Sequence, residues 1–201
     1  MKYGFEREYF VRQKGVYVLC PGLIPQDASG LWAEARGTPS VNPMEAAFLL
    51  LAAECKLKRD ARVQKVQLVL KDRESIDPEL LRKSLRRGKK GPYQEKNLYG
   101  LDWPIGEQIV EARAGLHGHF SNELEYATVD NKGRLQSYKS THNGFLDIPT
   151  LIRALDDEFE KEIRRAYRVK GMYELKGYGF EYRSLPATID PRKVADVLWS
   201  L

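Results

Sequence analysis

The chain has 201 residues, of which 42% are hydrophobic and 30% charged, a composition typical of a globular protein with a substantial core. Its longest apolar run, residues 46–53, is far shorter than the roughly 20 residues that a membrane-spanning helix needs. The charged start of the chain argues against a secretory signal peptide. We therefore expect a cytoplasmic protein that folds as one domain over residues 1–201, and its net charge of +5 is compatible with an anionic partner.

Two cysteines, Cys20 and Cys55, stand far apart in the sequence, and neither has a second cysteine nearby. This spacing matches neither a CxxC metal site nor a redox-active pair. We expect both to be free thiols in a reducing compartment.

Helix starts are marked by a shared pattern, in which a residue that can cap the helix is followed by proline. The pattern occurs at Asn42-Pro43, Asp77-Pro78 and Asp190-Pro191. A fourth helix is predicted after Asp147, where apolar residues recur every four positions at Leu151, Leu155, Phe159 and Ile163.

In chain order, the sequence predicts strands at 3–11, 15–20 and 31–37, a helix at 43–58, a strand at 65–71, a helix at 78–87, strands at 115–121 and 134–139, the helix after Asp147, a strand at 172–185 broken at Gly177 or Gly179, and a helix at 190–200. Strands and helices do not alternate regularly along the chain. We therefore expect an α+β fold, in which an antiparallel sheet has helices packed on one face.

Residues 88–106 contain four glycines and two prolines and show no periodicity. A segment of this length without regular structure is typical of a functional flap or of a disordered segment, and we expect a mobile loop that closes over a functional site. It overlaps the basic stretch 82–96, which has seven basic residues and one acidic residue. That stretch has two interpretations, a solvated helix end and loop, or an electropositive surface that recruits ATP, an acidic peptide or nucleic acid.

The most informative feature is a pair of polar residues two positions apart, which occurs on four predicted strands. The pairs are Glu6 and Glu8, Glu34 and Arg36, His117 and His119, and Glu181 and Arg183. Residues i and i+2 of a strand share a face, so each pair points its functional groups to one side. Any one pair alone is typical of a solvated sheet face or a cross-strand salt bridge. Together on one sheet face, the pairs would crowd their carboxylates, whose repulsion requires a neutralising partner.

This combination of side chains predicts a divalent metal site. Carboxylate oxygens are the ligands that Mg²⁺ and Mn²⁺ prefer, and Mn²⁺ also accepts an imidazole. Zinc is a poorer match, because four carboxylates to two histidines is an oxygen-rich set. Arginines suit phosphate or carboxylate groups, which they bind with two parallel hydrogen bonds. Metal ions held by carboxylates and surrounded by arginines are typical of phosphoryl transfer.

With these pairs and their surroundings, the sequence resembles the carboxylate–amine ligase superfamily, which contains glutamine synthetase and the glutamate–cysteine ligases, and above all the short amidoligases of phages and bacteria. The resemblance is carried, in the family's order, by GFEREYF (4–10), AEARGTPSVNP (33–43), RAGLHGHFS (113–121) and FEYRSLPA (180–187). It implies the glutamine synthetase catalytic-domain fold, a curved and mainly antiparallel sheet backed by helices. It also implies a ligase that uses ATP to activate a carboxylate as an acyl phosphate, which an amine then converts to an amide.

The resemblance also implies roles for individual residues. Glu6 and Glu8 would bind two different Mg²⁺ ions, and the metal set would be completed by Glu34, His117 and Glu181. His119 would approach the phosphates of ATP, and Arg183 would stabilise the transferring phosphoryl group. Arg36 resembles a residue that binds carboxylate or phosphate, and Arg113 is a further candidate for the same work.

The chain also departs from the superfamily, because it is much shorter than the large members and its second strand offers one carboxylate where they often provide more. Glu111, two positions before Arg113, is an additional candidate ligand. The motifs name neither the acid nor the amine, and they do not indicate an oligomeric state. Two other functions remain open, a non-catalytic protein that binds nucleic acid or an acidic partner through residues 82–96, and a metal-dependent phosphotransferase.

Overall fold

The computed structural model of the protein describes residues 1–27, 29–87, 95–101, 111–121, 123–129, 135–141 and 147–201. The strands in this part of the chain are β1 (Lys2–Gln13), β2 (Val16–Tyr17), β3 (Trp32–Arg36), β4 (Gln67–Val69), β5 (Arg73–Ser75), β6 (Glu95–Asn97), β7 (Glu111–Arg113), β8 (Leu116–Ser121), β9 (Glu123–Val129), β10 (Leu135–Thr141), β11 (Met172–Lys176) and β12 (Gly179–Tyr182). The helices are α1 (Pro43–Val63), α2 (Pro78–Arg87), α3 (Ile148–Glu158), α4 (Glu160–Arg165) and α5 (Pro191–Trp199). The predicted α+β class is confirmed.

Most strands join one antiparallel sheet that is built around the long first strand. The order along the sheet is β2–β1–β8–β12–β11–β6, and β3 and β4 also pair with β1. β1 has 12 residues, and this length lets its two edges pair with four other strands. Two further pairs, β9 with β10 and β5 with β7, form separate two-stranded sheets.

Helices α1, α3, α4 and α5 pack on one face of the large sheet, whereas Leu81 of α2 packs in a second, smaller cluster with Phe10. The strand residues that alternate with the polar pairs point toward the helices and are almost fully buried, among them Phe5, Ala33, Leu116 and Phe180. The helices contribute the other half of this core through Leu50, Leu57, Leu155, Val194 and Leu198. Because apolar side chains take one face of each strand, the polar side chains between them share the opposite face.

The predicted capping residues start the helices. Asn42 accepts hydrogen bonds from the backbone amides of Met44 and Glu45 at 2.9 and 3.2 Å. The side chains of Asp77, Asp147 and Asp190 do the same for α2, α3 and α5. In the described part of the chain, no helix combines the length and the apolar character that crossing a bilayer requires.

The structure extends or divides several predicted elements. Helix α1 continues past residue 58 to Val63, because Ala61 keeps its buried face in contact with the core. The strand predicted at 172–185 is divided into β11 and β12 by the turn at residues 177–178, as expected at a glycine, and β12 ends at Tyr182.

Part of the predicted loop is a strand of the large sheet. Within residues 88–106, β6 pairs with β11, and the Asn97 side chain donates to the carbonyl of Lys170 at 2.7 Å. Its sequence, Glu-Lys-Asn, is wholly polar and lacks the alternation on which strand prediction depends. Residues 88–94, which also form the middle of the basic stretch 82–96, and residues 102–106 of the predicted loop lie outside the described residues.

Candidate metal centre and active site

The pairing register of the large sheet brings the four polar pairs to one place. Glu6 of β1 stands opposite Arg36 of β3 on one side and His117 of β8 on the other. Two residues further along its strand, Glu8 pairs with Glu34 on β3. Two residues after His117, His119 on β8 pairs with Glu181 on β12. We call this group the polar cluster, and its members are Glu6, Glu8, Glu34, Arg36, His117, His119, Glu181 and Arg183.

Glu6 lies at the centre of the polar cluster. Its Oε1 is 3.0 Å from His117 Nδ1, and its Oε2 is 3.2 Å from His119 Nε2 and 3.4 Å from Arg36 Nε. Burial alone would raise the pKa of Glu6, but hydrogen bonds and charge from His117 and His119 outweigh burial and hold it well below its usual range. Glu6 is therefore an anionic centre on which nitrogen-bearing side chains of both neighbouring strands converge.

Glu181 is a second anionic centre, and it is almost completely buried. Its Oε1 accepts from Arg183 at 2.5 Å and lies 3.1 Å from His117 Nδ1, and its Oε2 is 2.7 Å from Lys176 Nζ. Burial raises the pKa of Glu181, but the hydrogen bond from His117 and the charges of His117 and Arg183 lower it by more. The carboxyl group is therefore still ionised well below neutral pH. Glu6 and Glu181 thus hold one imidazole between them.

The ring of His117 is 2% exposed and is surrounded by carboxylates. Its Nδ1 faces Glu6 and Glu181, and its Nε2 is 3.9 Å from Oε2 of Glu8. Burial and the charge of Arg183 lower the pKa of His117, but the three carboxylates outweigh them and raise it to about 9. At neutral pH, in the absence of a bound cation, His117 is therefore an imidazolium that neutralises its neighbours.

Glu34 also holds a proton in the absence of a cation. Its side chain is paired with Arg36, but burial and the adjacent charge of Glu6 raise its pKa to about 8. At neutral pH the two carboxyl groups Glu34 and Glu6 therefore carry a single negative charge between them. Two protons, one on Glu34 and one on His117, help to balance the carboxylates of the polar cluster.

Glu8 is set apart from the rest of the polar cluster. Its Oε2 accepts a 2.7 Å hydrogen bond from the backbone amide of Gly115, on the opposite side of the His117 ring from Glu6. Burial raises the pKa of Glu8, and the charges of His117 and Arg168 offset this only in part. The structure thus places Glu8 beside His117 rather than beside Glu6, and the resemblance implies that the two glutamates bind two different Mg²⁺ ions.

Three residues of the polar cluster could hold a metal ion between them. Glu6, His119 and Glu181 each offer one ligand atom, and these atoms lie within 4.8 Å of one another. A cation with bonds of about 2.0–2.6 Å joins donors at this separation after small side-chain movements. Two carboxylates and an imidazole form a donor set that suits Mn²⁺, and the carboxylates also suit Mg²⁺. Of the metal ligands implied by the resemblance, Glu6 and Glu181 are in this group, and His119 takes the place expected for His117.

The geometry around His119 supports a cation at this position. Its Nε2 is buried and makes no aligned hydrogen bond, although it lies 3.2 Å from Oε2 of Glu6. Its Nδ1 is 2.5 Å from the hydroxyl of Tyr178. A buried nitrogen that faces carboxylates without such a bond is the arrangement that a bound cation satisfies.

A pocket of about 440 Å³ opens beside Glu6 and His119. Its other lining residues include Lys2, Arg36 and Tyr178. Gly4 lies on the same face of β1 as Glu6, and because it has no side chain it leaves room between Pro39 and His119. The volume is in the range of pockets that bind small molecules.

Two candidate residues lie away from the polar cluster. Arg113 is on β7, opposite Arg73 of β5 in a two-stranded sheet, and Glu111 on the same strand is 3.4 Å from Arg73. The contacts of the described residues do not connect Glu111 with the polar cluster. Burial first, and then the charges of Arg183 and Arg113, lower the pKa of Arg168 to about 10.

Four further residues complete the surroundings of the polar cluster and were missed by sequence analysis, namely Gly115, Arg168, Lys176 and Tyr178. Arg168 donates to the backbone carbonyls of Ala114, Arg183 and Ser184, and this holds the start of β8 against the end of β12. Lys176 stands two positions after Glu174 on β11, so the two-residue spacing that revealed the other pairs also marks this one. Arg168 and Tyr178 lie in connections, where no periodicity could have revealed them.

Comparison with known proteins assigns no relative. The scan against family models, the search of curated proteins and the search of solved structures all find no match to this chain.

Proposed function

We propose that the protein is an ATP- and Mg²⁺-dependent carboxylate–amine ligase, with Mn²⁺ as an alternative ion. In the first half-reaction, a carboxylate oxygen of the substrate attacks the γ-phosphorus of ATP, which forms an acyl phosphate and releases ADP. In the second, an amine attacks the acyl carbon, so an amide forms while phosphate leaves and the amine loses a proton. The acid and the amine are small molecules that enter through the pocket beside Glu6.

The observation that carries this proposal is the meeting of Glu6, His119 and Glu181 with two arginines at one end of an open pocket. A cation held by these three residues would neutralise negative charge on the phosphates of ATP. Carboxylates, a cation and arginines around one point are what phosphoryl transfer requires, since charge must be stabilised on several oxygens at once.

The two arginines have different surroundings, which suit different tasks. Arg183 is 2.5 Å from Glu181 and 3.5 Å from Glu174, so its guanidinium is held next to the proposed cation and can stabilise the transferring phosphoryl group. Arg36 is 64% exposed in its side chain and lines the pocket. Its forked donors suit a carboxylate or phosphate group of a ligand in that pocket.

The fold agrees with the proposal in its general plan. The superfamily that the sequence resembles carries its active site on a curved, mainly antiparallel sheet backed by helices, and this chain has a mainly antiparallel sheet with helices α1, α3, α4 and α5 packed on one face. The polar cluster lies on the other face. We propose on this basis that the chain has a compact form of the glutamine synthetase catalytic-domain fold.

The first experiment is a calorimetric titration of Mg²⁺-ATP into the wild-type protein and into Glu6→Gln and Glu181→Gln variants. These changes keep side-chain volume but remove the charge that would hold the cation. We expect binding by the wild type and a loss of about 100-fold or more in both variants. Glu160→Gln, an exposed glutamate on α4, is the matched control and should bind like the wild type.

The second experiment identifies the reaction. The protein is incubated with ATP, Mg²⁺ and panels of acids and amines, and ADP release is followed. With an acid labelled with ¹⁸O in its carboxylate, acyl phosphate chemistry transfers one ¹⁸O atom to the released phosphate, because the bridging oxygen leaves with phosphorus. A phosphorylated acceptor without amide formation would instead identify a phosphotransferase. Absence of Mg²⁺-ATP binding by the folded wild type would overturn the proposal.

A further inference from the structure

Tyr178 lies in the short turn between β11 and β12, directly above the polar cluster. Its hydroxyl is 2.5 Å from Nδ1 of His119, and the two rings are 6.1 Å apart between centroids. The residue is half-buried and forms part of the pocket wall beside Glu6. Tyr178 is thus the partner of the one imidazole nitrogen of His119 that does not face the polar cluster.

The turn itself is held in a fixed position. Gly179, the residue after Tyr178, has φ of +155°, and an added Cβ would stand 1.9 Å from the carbonyl oxygen of Phe120. β12 therefore begins in direct backbone contact with β8, one residue after His119. This close approach anchors the backbone next to Tyr178 against the strand that carries His119.

The two nitrogens of His119 have different partners. Nδ1 meets the Tyr178 hydroxyl, and Nε2 lies 3.2 Å from Oε2 of Glu6. In a neutral imidazole one nitrogen carries the proton and donates, and the other presents a lone pair. A cation at Nε2 requires the lone pair there, so the proton must then be on Nδ1 and must find an acceptor.

We propose that Tyr178 is a positioning residue, whose hydroxyl accepts the Nδ1 proton of His119 and so presents Nε2 to a cation shared with Glu6 and Glu181. A hydroxyl suits this task because it both donates and accepts. Without a cation the hydroxyl donates to Nδ1, and the proton of the imidazole is on Nε2. When a cation takes the lone pair of Nε2, the imidazole proton is on Nδ1 and the hydroxyl accepts from it. A second partner of this kind orients a metal-binding histidine and selects its tautomer. The inference rests on the cation site of the proposed function.

The test uses Mn²⁺ alone as the probe, with no nucleotide or substrate. Its affinity is measured by calorimetry for the wild type, Tyr178→Phe and His119→Ala, and pulsed electron paramagnetic resonance detects whether an imidazole nitrogen is bound to the ion. The matched control is Tyr173→Phe, which removes a hydroxyl on β11. The ring of Tyr173 packs edge-on against Phe180 on the helix-covered face. Thermal unfolding of each variant shows that it is folded.

We expect Mn²⁺ binding with a nitrogen signal in the wild type and in Tyr173→Phe. Tyr178→Phe should bind about 10- to 100-fold more weakly and lose the nitrogen signal, as should His119→Ala. Wild-type affinity and an unchanged nitrogen signal in Tyr178→Phe would overturn the role of Tyr178 while leaving the cation site intact. If the wild type binds no Mn²⁺, both the site and this inference fail.

Discussion

Adjacent residues of β1 point to opposite faces of the same sheet, and buried charges are balanced in different ways on the two faces. On the helix-covered face, the guanidinium of Arg7 is 2.9 Å from Glu54 of α1 and donates to the carbonyl of Ile189 at 2.5 Å. Both side chains are about 95% buried. One permanent positive charge meets one carboxylate, and the pair ties β1 to α1.

On the open face, the neighbours of Arg7 are Glu6 and Glu8, and the charges around them are balanced partly by protons. Glu34, with a pKa raised to about 8, and His117, with a pKa raised to about 9, both hold protons at neutral pH in the absence of a cation. The permanent ion pair between Arg7 and Glu54 stabilises the fold. Protons on a carboxyl and an imidazole can be replaced by a metal ion, and this difference favours the open face as the place of the proposed function.

The largest effect is expected on the helix-covered face, from Glu54→Ala. This change leaves the charge of Arg7 buried without its partner, so the free energy of unfolding should fall by about 3–5 kcal/mol. Chemical denaturation at pH 7 measures it. Because Glu54 lies on the other face from the polar cluster, Mn²⁺ affinity of the folded variant should stay within about twofold of the wild type.

Two further variants sharpen this test. Lys58→Ala, at an exposed position on α1, should change stability by less than about 0.5 kcal/mol. The double variant Arg7→Met/Glu54→Leu removes both charges and should recover most of the lost stability. A single variant Glu54→Ala that is as stable as Lys58→Ala would show that the ion pair does not hold the two elements together.

The second prediction concerns pH on the open face. A cation bound by Glu6 and Glu181 competes with the His117 imidazolium for the same oxygen atoms, and it favours the ionised form of Glu34. Cation binding must therefore release protons. Mn²⁺ affinity should rise about ten- to hundredfold per pH unit toward pH 8, where Glu34 titrates, and level off once pH exceeds the pKa of His117, about 9.

Calorimetric titrations with Mn²⁺ at pH 6, 7 and 8, in buffers that differ in heat of ionisation, count the protons released. We expect a number between one and two at pH 7, and a smaller number at pH 8. Affinity that does not change over this range would contradict the assignment of protons to Glu34 and His117.

The smallest predicted effect comes from Gly115→Ala, beneath the polar cluster. The added Cβ would stand 2.5 Å from Nε2 of His117 and 2.9 Å from a terminal nitrogen of Arg168. Arg168 cannot move easily, because three backbone carbonyls hold its guanidinium. We expect a loss of about 1–3 kcal/mol in stability and a displaced His117 ring.

Denaturation and the His117 ring resonances in nuclear magnetic resonance spectra measure these two effects. Gly22→Ala is the control, since an added Cβ there meets no atom within 4 Å. Equal stability of the two variants, with unchanged His117 resonances, would mean that the backbone at Gly115 has more room than its contacts indicate.

Local chemistry made a large part of the fold predictable. Capping by Asn42, Asp77 and Asp190 depends on side chains two or three residues from the amides they bind, so the sequence alone located these helix starts. The same holds for the polar pairs, because a two-residue period along a strand selects a face without reference to any other strand. β6 was missed because its three polar residues are a strand only through pairing with β11.

The candidate site was predictable in its residue types but not in its connections. Sequence analysis named Glu6 and Glu181, and the structure brings them to the same imidazole. It could not show that His119 rather than His117 would lie with them in one group of candidate ligand atoms, or that the Tyr178 hydroxyl would contact Nδ1 of His119. Arg168 has no sequence signal, because its role arises from carbonyls on two distant segments.

The sequence by itself determined which side chains point to each face of each strand, since alternation is a property of the extended backbone. It also determined where three helices begin, since caps act within a turn. The tertiary structure alone decided which carboxylates meet, because strand register depends on contacts between residues more than 100 positions apart, such as Glu6 and His117. It also decided which of these groups hold protons, because pKa values depend on burial and on charges that only folding brings near.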